Sequence, residues 1–429
     1  MKSIAQIESE LPHMNAGDMR AEDVREFLAR LVEPVAGIET VSLFDALGLV
    51  LAADVVSPVS VPPHDNSAMD GFAFDGSQLR TDQPLELTIA GTALAGKAGH
   101  ASLRPGQCLR IMTGAVMPEG LDTVIPHESA KTSSDGAHIT IAPGAVTRGS
   151  NRRLRGEDLE EGSPALKRGD RLTPASLGLA ASLGMPTLQV RRRLRVAFFS
   201  TGDEILSVGD APREGAIYDS NRYTVFGLLT RLGCELIDLG VVGDDTASLE
   251  AALSKAASCA DAVITSGGVS GGDADYTRAT MKKLGDIAFW QVAMRPGRPM
   301  AVGRIAVPGG TDRAVLFGLP GNPVAVMVTF IAFVRPALLQ MMGAHAGPQP
   351  LLKARAAVAI RKKPGRTEYQ RAWVDTAADG SLQVRTAGNQ GSGVLRSMVQ
   401  ANGLIVLHHE SGDVAQGDLV DVMMFEGAI

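Results

Sequence analysis

The sequence predicts an α/β core joined to β-rich domains. Three observations predict it. Between residues 191 and 341, strand-like runs at 194–199, 235–239, 262–265, 287–292 and 314–317 are separated in the early part by helical patterns. Such alternation implies a parallel sheet with right-handed crossovers. Residues 72–145 and 350–429 carry short strand patterns broken by Asp135-Gly136 and Asp379-Gly380 turns. The 48 glycines and 23 prolines among 429 residues favour turns and short strands over helical bundles.

The elements follow in order. Val24, Phe27, Leu28 and Leu31 lie on one helical face, and a second short helix is expected at 43–49. Pro58, Pro62 and Pro63 exclude regular structure from 57–71, which reads as an ordered extended loop. Leu85, Leu87 and Ile89 alternate as a strand, and a hairpin-like turn at Asp135-Gly136 precedes 138–141. Residues 175–183 read as a short helix. Val225, Leu228, Leu229 and Leu232 mark a helix ended by Gly233. Leu249, Ala252, Leu253 and Ala256 mark another, with Asp245 or Thr246 as N-cap. The apolar run 324–334 is too short to span a bilayer and reads as a buried helix. Strands are expected at 404–407 and 419–424, and His408-His409 as an adjacent pair on opposite strand faces.

Composition narrows the function. At 45% hydrophobic and 21% charged residues the chain is an ordinary soluble globular one. Its net charge of −6 disfavours nucleic acid. The arginine clusters at 152, 153 and 155 and at 191, 192, 193 and 195 read as solvated faces, local anion binding staying open for the first. Cys108, Cys234 and Cys259 are too few and too scattered for a disulfide framework or a Cys-rich zinc site. A reducing cytoplasm fits, residues 1–20 carry no apolar signal core, and no membrane partner is expected.

The chemistry concentrates at the carboxyl ends of the core strands, where open α/β sheets bind ligands. After the run 262–265 come Gly267, Gly268, Gly271 and Gly272, with hydroxyls at Ser266 and Ser270 and acids at Asp273 and Asp275. Glycines let backbone amides approach an oxyanion, a following helix N-terminus favours one, and carboxylates nearby can hold Mg²⁺. The spacing matches neither a P-loop nor a dinucleotide fingerprint. Thr201-Gly-Asp-Glu204 and Gly243-Asp-Asp245 reach the same edge. Asp203 reads either as a metal or water-activating group or as a helix cap. Gly318-Leu-Pro-Gly-Asn-Pro323 places Asn322 as N-cap and Pro323 at the first helical position. Arg295 and Arg298 stand just after a strand, matched to an oxyanion or to a surface turn. Asp70, before Gly71 in a proline-stiffened loop, reads as a metal or acid–base group or as an Asx turn. No Ser–His–Asp or Cys–His nucleophile is evident.

Together these segments resemble the molybdopterin molybdenumtransferase family, the MoeA-type enzymes related to the E domain of gephyrin. The matching stretches run through residues 62–71, 110–114, 155–158, 200–204, 217–221, 265–276 and 318–323, then Gly365-Arg366 and Gly391-Ser-Gly393. The resemblance implies a multidomain elongated subunit. Residues 18–56 and 146–190 would form an elongated N-terminal domain and 57–145 an inserted β domain. Residues 191–341 would form a central parallel-sheet α/β molybdopterin-binding domain, and 350–429 a C-terminal β-barrel-like domain. It implies a homodimer whose cleft lies between the α/β domain of one subunit and the small domains of the other. The implied reaction inserts molybdate at the dithiolene of adenylylated molybdopterin and hydrolytically releases AMP, assisted by Mg²⁺.

Carried over position by position, Asp70, Thr113, Asp158, Glu204, Asp244 and Asp275 match positions tied to activity, and Pro320 and Pro323 match prolines shaping the cleft. Arg366 and Ser392 match polar positions of the last domain. Glu204, Asp244, Asp275 and Asp158 form the expected metal and water-handling set. Gly267, Gly268, Ser270, Gly271, Gly272, Arg295, Arg298 and Asn322 complete the expected substrate contacts. Gln291 departs from the family, which often has lysine there. The adenylyltransferase and acceptor molybdoenzymes are further implied partners. Two other readings are a molybdopterin adenylyltransferase, which needs only residues 191–341, and a non-catalytic gephyrin-like scaffold.

Overall fold

The structure, a computed structural model, describes residues 2–11, 18–97, 103–269, 275–306, 313–345, 347 and 349–426. At its centre lies a six-stranded sheet in the order Glu235–Val242, Arg195–Thr201, Ala262–Ser266, Arg313–Leu319, Pro299–Ala306 and Gly285–Gln291. The first four strands are parallel. The last two join through antiparallel pairings, Pro299–Ala306 running against all the others, correcting the purely parallel sheet expected from sequence. The physical reason is connection length. Only residues 292–298 and 307–312 link the last three strands, whereas a parallel crossover needs about a dozen residues or more.

The Arg195–Thr201 strand is buried on both faces, as a covered parallel strand should be. Val196 and Phe198 enter one core, Ala197 and Phe199 the other. Helix Ser220–Leu232 is capped by Asp219, which accepts from the Arg222 amide, and ends at left-handed Gly233. Helix Thr246–Cys259 is capped by Asp245, which accepts from Ser248.

The larger core gathers more than the α/β layers. Val24, Phe27, Leu28 and Leu31 of helix Ala21–Leu31 pack into it, as do Tyr369, Leu404 and Val406 of the C-terminal part. A continuous helix, Pro323–Met341, runs through it. It extends beyond the expected apolar run and is long and apolar enough to cross a membrane, but most of it is buried in this core.

The elongated part pairs Ile38–Ser42 with Thr187–Arg191 and Val55–Val56 with Pro164–Leu166, over a small core around Leu49, Leu51, Leu172 and Leu188. The short helix expected at 43–49 is only a 3-10 turn, Leu43–Asp45: Ala46 and Leu49 do pack into this small core, but Gly48 adopts a left-handed conformation (φ +76°) that breaks a helix. The inserted part is a six-stranded sheet. Gly71 lies so close to its neighbour strand there that an added Cβ would sit 2.0 Å from the Ile125 carbonyl oxygen. In the C-terminal part, Thr367–Thr376, Leu382–Thr386, Leu352–Ala356, Leu419–Met424 and Gly403–Leu407 close into a barrel through the first–last pairing. His408 lies just past a strand end and binds Asp421 at 2.8 Å, so the pair of histidines is not a strand pair. Met294–Arg295 pairs in parallel with Thr367 and Glu368, stitching the α/β part to the barrel.

Phe27 is fully buried and meets Trp290 edge-on, with ring centroids 4.6 Å apart. Phe27→Ala is expected to destabilise the docking of the N-terminal helix by about 3–5 kcal/mol. A lowered melting temperature followed by tryptophan fluorescence checks this.

Candidate active site

Two groups of functional side chains emerge. The first is built from loops of the inserted part. Antiparallel pairing of Gly71–Phe74 with Gln107–Ile111 sets Gly71 opposite Ile111. That register brings Asp70 to Thr113, whose backbone amide and hydroxyl both donate to Asp70 Oδ1, at 2.6 and 2.7 Å. These two bonds, led by the amide, hold the Asp70 carboxyl below its ordinary value, and His127 and Arg110 add to the effect. Asp70 is therefore an exposed, ionised carboxylate with a fixed orientation. Asp158 joins the same loop cluster through its backbone: its amide donates to the Val61 carbonyl at 3.1 Å. Its side chain is exposed.

Asp65 anchors this cluster and was not singled out from sequence. It accepts from the Arg155 amide at 2.6 Å and from Arg152 Nε at 2.9 Å, with a second contact from the Arg152 guanidinium. Partial burial pushes its pKa up, but these bonds more than offset that and leave it lowered. Its position in the loop of Asp70, with arginines at 152 and 155, was the available signal.

The second group lies at the carboxyl ends of the parallel strands. The Thr201 hydroxyl donates to Asp244, and the Asp244 amide donates to Asp203 Oδ1 at 3.4 Å. The Glu204 carboxylate folds over Gly202, where an added Cβ would lie 2.6 Å from Glu204 Oε2. No helix follows Asp203; a two-residue strand, Ile205–Leu206, does, so the helix-cap reading of Asp203 is excluded. Gly267, at φ +96°, passes so near Thr201 that a Cβ would sit 2.4 Å from its carbonyl oxygen. Only glycine fits this approach. Its amide donates to the Leu319 carbonyl at 3.1 Å, so Gly267 supplies closeness rather than an oxyanion contact. Gly268 also has positive φ. Ser270, Gly271 and Gly272 lie outside the described residues, as does the side chain of Asp275, at the start of helix Asp275–Leu284.

The 318–323 turn meets this edge. Asn221 Nδ2 donates to Ser266 Oγ and to the Gly321 carbonyl, both at 2.7 Å, tying one strand end to the turn from the start of helix Ser220–Leu232. Thr201 and Asn221 were not assigned roles from sequence, although both stand inside the motifs noted there. Asn322 is the N-cap of the Pro323 helix by backbone conformation, without a side-chain capping bond. The Val324 amide instead reaches the Ser392 carbonyl at 3.1 Å. This contact delivers the Gly391-Ser-Gly393 loop to the turn at Pro320.

Three arginines were expected among the oxyanion contacts. Arg295 is exposed and forms no ion pair among the described residues. Arg366 Nε donates to buried Glu368 at 2.8 Å, while the arginine remains 40% exposed. Arg298 is paired with Asp18 at 2.6 Å. Among the described residues no hydrogen bond or ion pair joins the Asp70 group to the Glu204 group.

Thr113→Val removes one of the two bonds to ionised Asp70. The Asp70 midpoint is expected to rise toward the ordinary carboxylate value of about 4 without fully reaching it, since the amide bond persists. Carboxyl NMR titration reads this directly. By sign, a lowered pKa means that these bonds favour the folded state above the unfolded pKa, and that the benefit fades as pH falls through the folded one.

Comparison with known proteins bears on all three regions. Models of the MoeA N-terminal region (domain I and II), a probable molybdopterin binding domain and the MoeA C-terminal region (domain IV) match residues 19–184, 197–340 and 353–425. The chain is 41% identical to the molybdopterin molybdenumtransferase of Haemophilus influenzae, across 90% of this chain and 94% of that one. It is 38% identical to molybdopterin molybdenumtransferase 2 of Mycobacterium tuberculosis, across 89% and 94%. The fold superposes on a crystal structure of the molybdopterin biosynthesis MoeA protein from Pyrococcus horikoshii OT3 with a TM-score of 0.79. Identity there is 27%, over 95% of this chain and 99% of that one. With three domain models in register and such coverage, the chain belongs to the molybdopterin molybdenumtransferase family, enzymes of molybdenum cofactor biosynthesis.

Proposed function

We propose that this enzyme inserts molybdate into adenylylated molybdopterin with Mg²⁺-dependent release of AMP, acting as a cytoplasmic homodimer. The observation that carries the reading is the convergence of Thr201, Asp203, Glu204 and Asp244 beside the Gly267 approach and the Pro320 turn.

Among the described residues no three His, Cys, Asp or Glu side chains are grouped to hold a metal by themselves. Mg²⁺ ordinarily keeps several waters and takes only one or two carboxylates plus substrate phosphate, and Glu204 and Asp244 match that demand. Bound there, Mg²⁺ would neutralise charge developing on the phosphate oxygens. The Thr201 hydroxyl fixes the Asp244 carboxylate, and Glu204 lies free to orient water or take its proton. In the hydrolysis, water adds to phosphorus, the anhydride bond to AMP breaks, and the released proton passes to a carboxylate. Asp275 is assigned to the same metal and water-handling set, and Asp158, which stands with the Asp70 loop, would join it from the partner subunit.

Molybdate is a tetrahedral dianion, matched by Arg295, the exposed part of Arg366 and the Ser392 hydroxyl. Gln291 brings no charge to this edge, whereas Arg295 does. Arg298, held by Asp18, serves chiefly to shape the turn. Asp70 and Thr113, unconnected to this edge within one chain, complete the cleft from the partner subunit. Ile217, Tyr218, Tyr223 and Phe226, all about half exposed on one stretch of chain, supply apolar surface for that dimer. The cysteines are unpaired, and burial pushes the Cys108 thiol up to about 12, consistent with a reducing compartment.

The test is AMP release from adenylylated molybdopterin with and without Mg²⁺ and molybdate. Release requiring both, without ATP consumption, is expected; ATP-driven formation of the adenylylated species would instead mark an adenylyltransferase. Glu204→Gln is expected to cut release by about 100-fold with an unchanged circular dichroism spectrum. Phe226→Asp is expected to shift the sedimenting species from dimer to monomer and to lower AMP release in parallel; a dimer of full activity would count against the shared cleft.

A further inference from the structure

The barrel contains a charge that the reaction as described does not use. Arg371 is only 1% exposed. Its Nε donates to Ser397 Oγ at 3.1 Å, and its terminal nitrogen donates to the carbonyls of Asn389 and Gly391, each at 3.0 Å. All three acceptors are neutral. Its backbone is locked to the same loop: the Arg371 amide donates to Gln390 Oε1 at 2.9 Å, and Gln390 Nε2 returns a bond to the Arg371 carbonyl at 3.0 Å. Ser392, the residue after Gly391, has a carbonyl that receives the Val324 amide at 3.1 Å. Thus one buried guanidinium grips the loop that ends at the N-terminus of helix Pro323–Met341.

A buried cation ordinarily has an acidic partner, because desolvation without one is costly. Arg371 has instead a like-charged neighbour. Burial, and then the charge of Arg295, lower its pKa to about 10, which still leaves it protonated at neutral pH. Among the described residues Arg371 forms no ion pair, and buried Glu368, the strand partner of Arg295, is paired with Arg366, so an anion would relieve the remaining positive charge. The carbonyl bonds keep Arg371 in place without an ion pair among the described residues.

We propose that Arg371 is a positioning residue for the oxyanion site, holding the Asn389–Ser392 loop against the Pro323 helix and lending positive potential to a dianion bound beside Arg295. This rests on the reading that Arg295, Arg366 and Ser392 receive molybdate.

The test is the molybdate KM of AMP release in the full-length enzyme, with melting temperatures measured in parallel. Arg371→Met is expected to raise the molybdate KM by roughly tenfold, more than it lowers the saturated rate. Arg371→Lys keeps the charge but loses the fork and is expected to raise it by about threefold. A purely architectural role would lower the melting temperature and leave KM unmoved. Folded Arg371→Met with an unchanged KM overturns the inference. Should that variant not fold, an unchanged KM in Arg371→Lys overturns it instead. Arg295→Met and Ser392→Ala separate the two levels. If neither raises the KM, the molybdate assignment itself fails and this inference with it. If they raise it and the Arg371 variants do not, only the role of Arg371 fails.

Discussion

Burial of the Pro323–Met341 helix is the constraint on which the rest of the molecule depends. A helix apolar on nearly every face cannot remain at a surface and must be surrounded. Here the surrounding comes from four directions: the central sheet, helix Ser220–Leu232, the N-terminal helix Ala21–Leu31 and residues of the C-terminal barrel. Parts far apart in sequence thereby share one core. The helix then does at its N-terminus what its flanks make possible. Because it is fixed in the core, the 318–323 turn is fixed too, and the barrel loop at Ser392 finds a stationary amide to bind. The polar geometry at the edge is a consequence of apolar packing along the helix.

The strand ends show the same dependence at finer scale. Thr201, Gly267 and Leu319 terminate neighbouring strands, and the glycine permits a backbone approach that any side chain would block. Drawing the ends together draws their loops together. Asp203, Glu204 and Asp244 come from two loops and gain their proximity from the parallel register of the strands beneath them. Like charges placed so near repel, and one of them, Asp244, is steadied by a hydroxyl rather than a cation. Of the positive groups, Arg366 is paired with buried Glu368, and Arg295 stands where the α/β part is stitched to the barrel.

Much of this was legible in the sequence, for physical reasons that differ by element. The early strands and helices of the core were readable because 3.6-residue periodicity and capping residues such as Asp245 and Gly233 are local signals. The antiparallel edge was missed because the Pro299–Ala306 strand was not recognised, and without it the short connections on either side carried no meaning. The helix expected at 43–49 failed because its apolar residues reach the small core from a turn that left-handed Gly48 closes, and an apolar pattern alone does not distinguish the two. Asp70 could be singled out from its loop, but its union with Thr113 could not, because it depends on a strand register joining residues 43 positions apart.

Asp65 and Asp70 show why one motif can serve both stability and chemistry. They lie five residues apart, and the stretch expected to lack regular structure carries between them the short strand Asn66–Ser67, paired with Arg152–Arg153; both are held ionised, yet by different partners. Asp65 turns to the Arg152 guanidinium and the Arg155 backbone amide and fixes the base of the loop, the guanidinium contact being a salt bridge. Asp70 accepts only uncharged donors and stays exposed. Had an arginine taken Asp70 as well, its charge would be neutralised and its oxygens occupied. Binding it through an amide and a hydroxyl on one oxygen orients the carboxylate and leaves the other oxygen free to meet a ligand. The loop therefore keeps its salt bridge at one end so that its other end can present a bare negative charge.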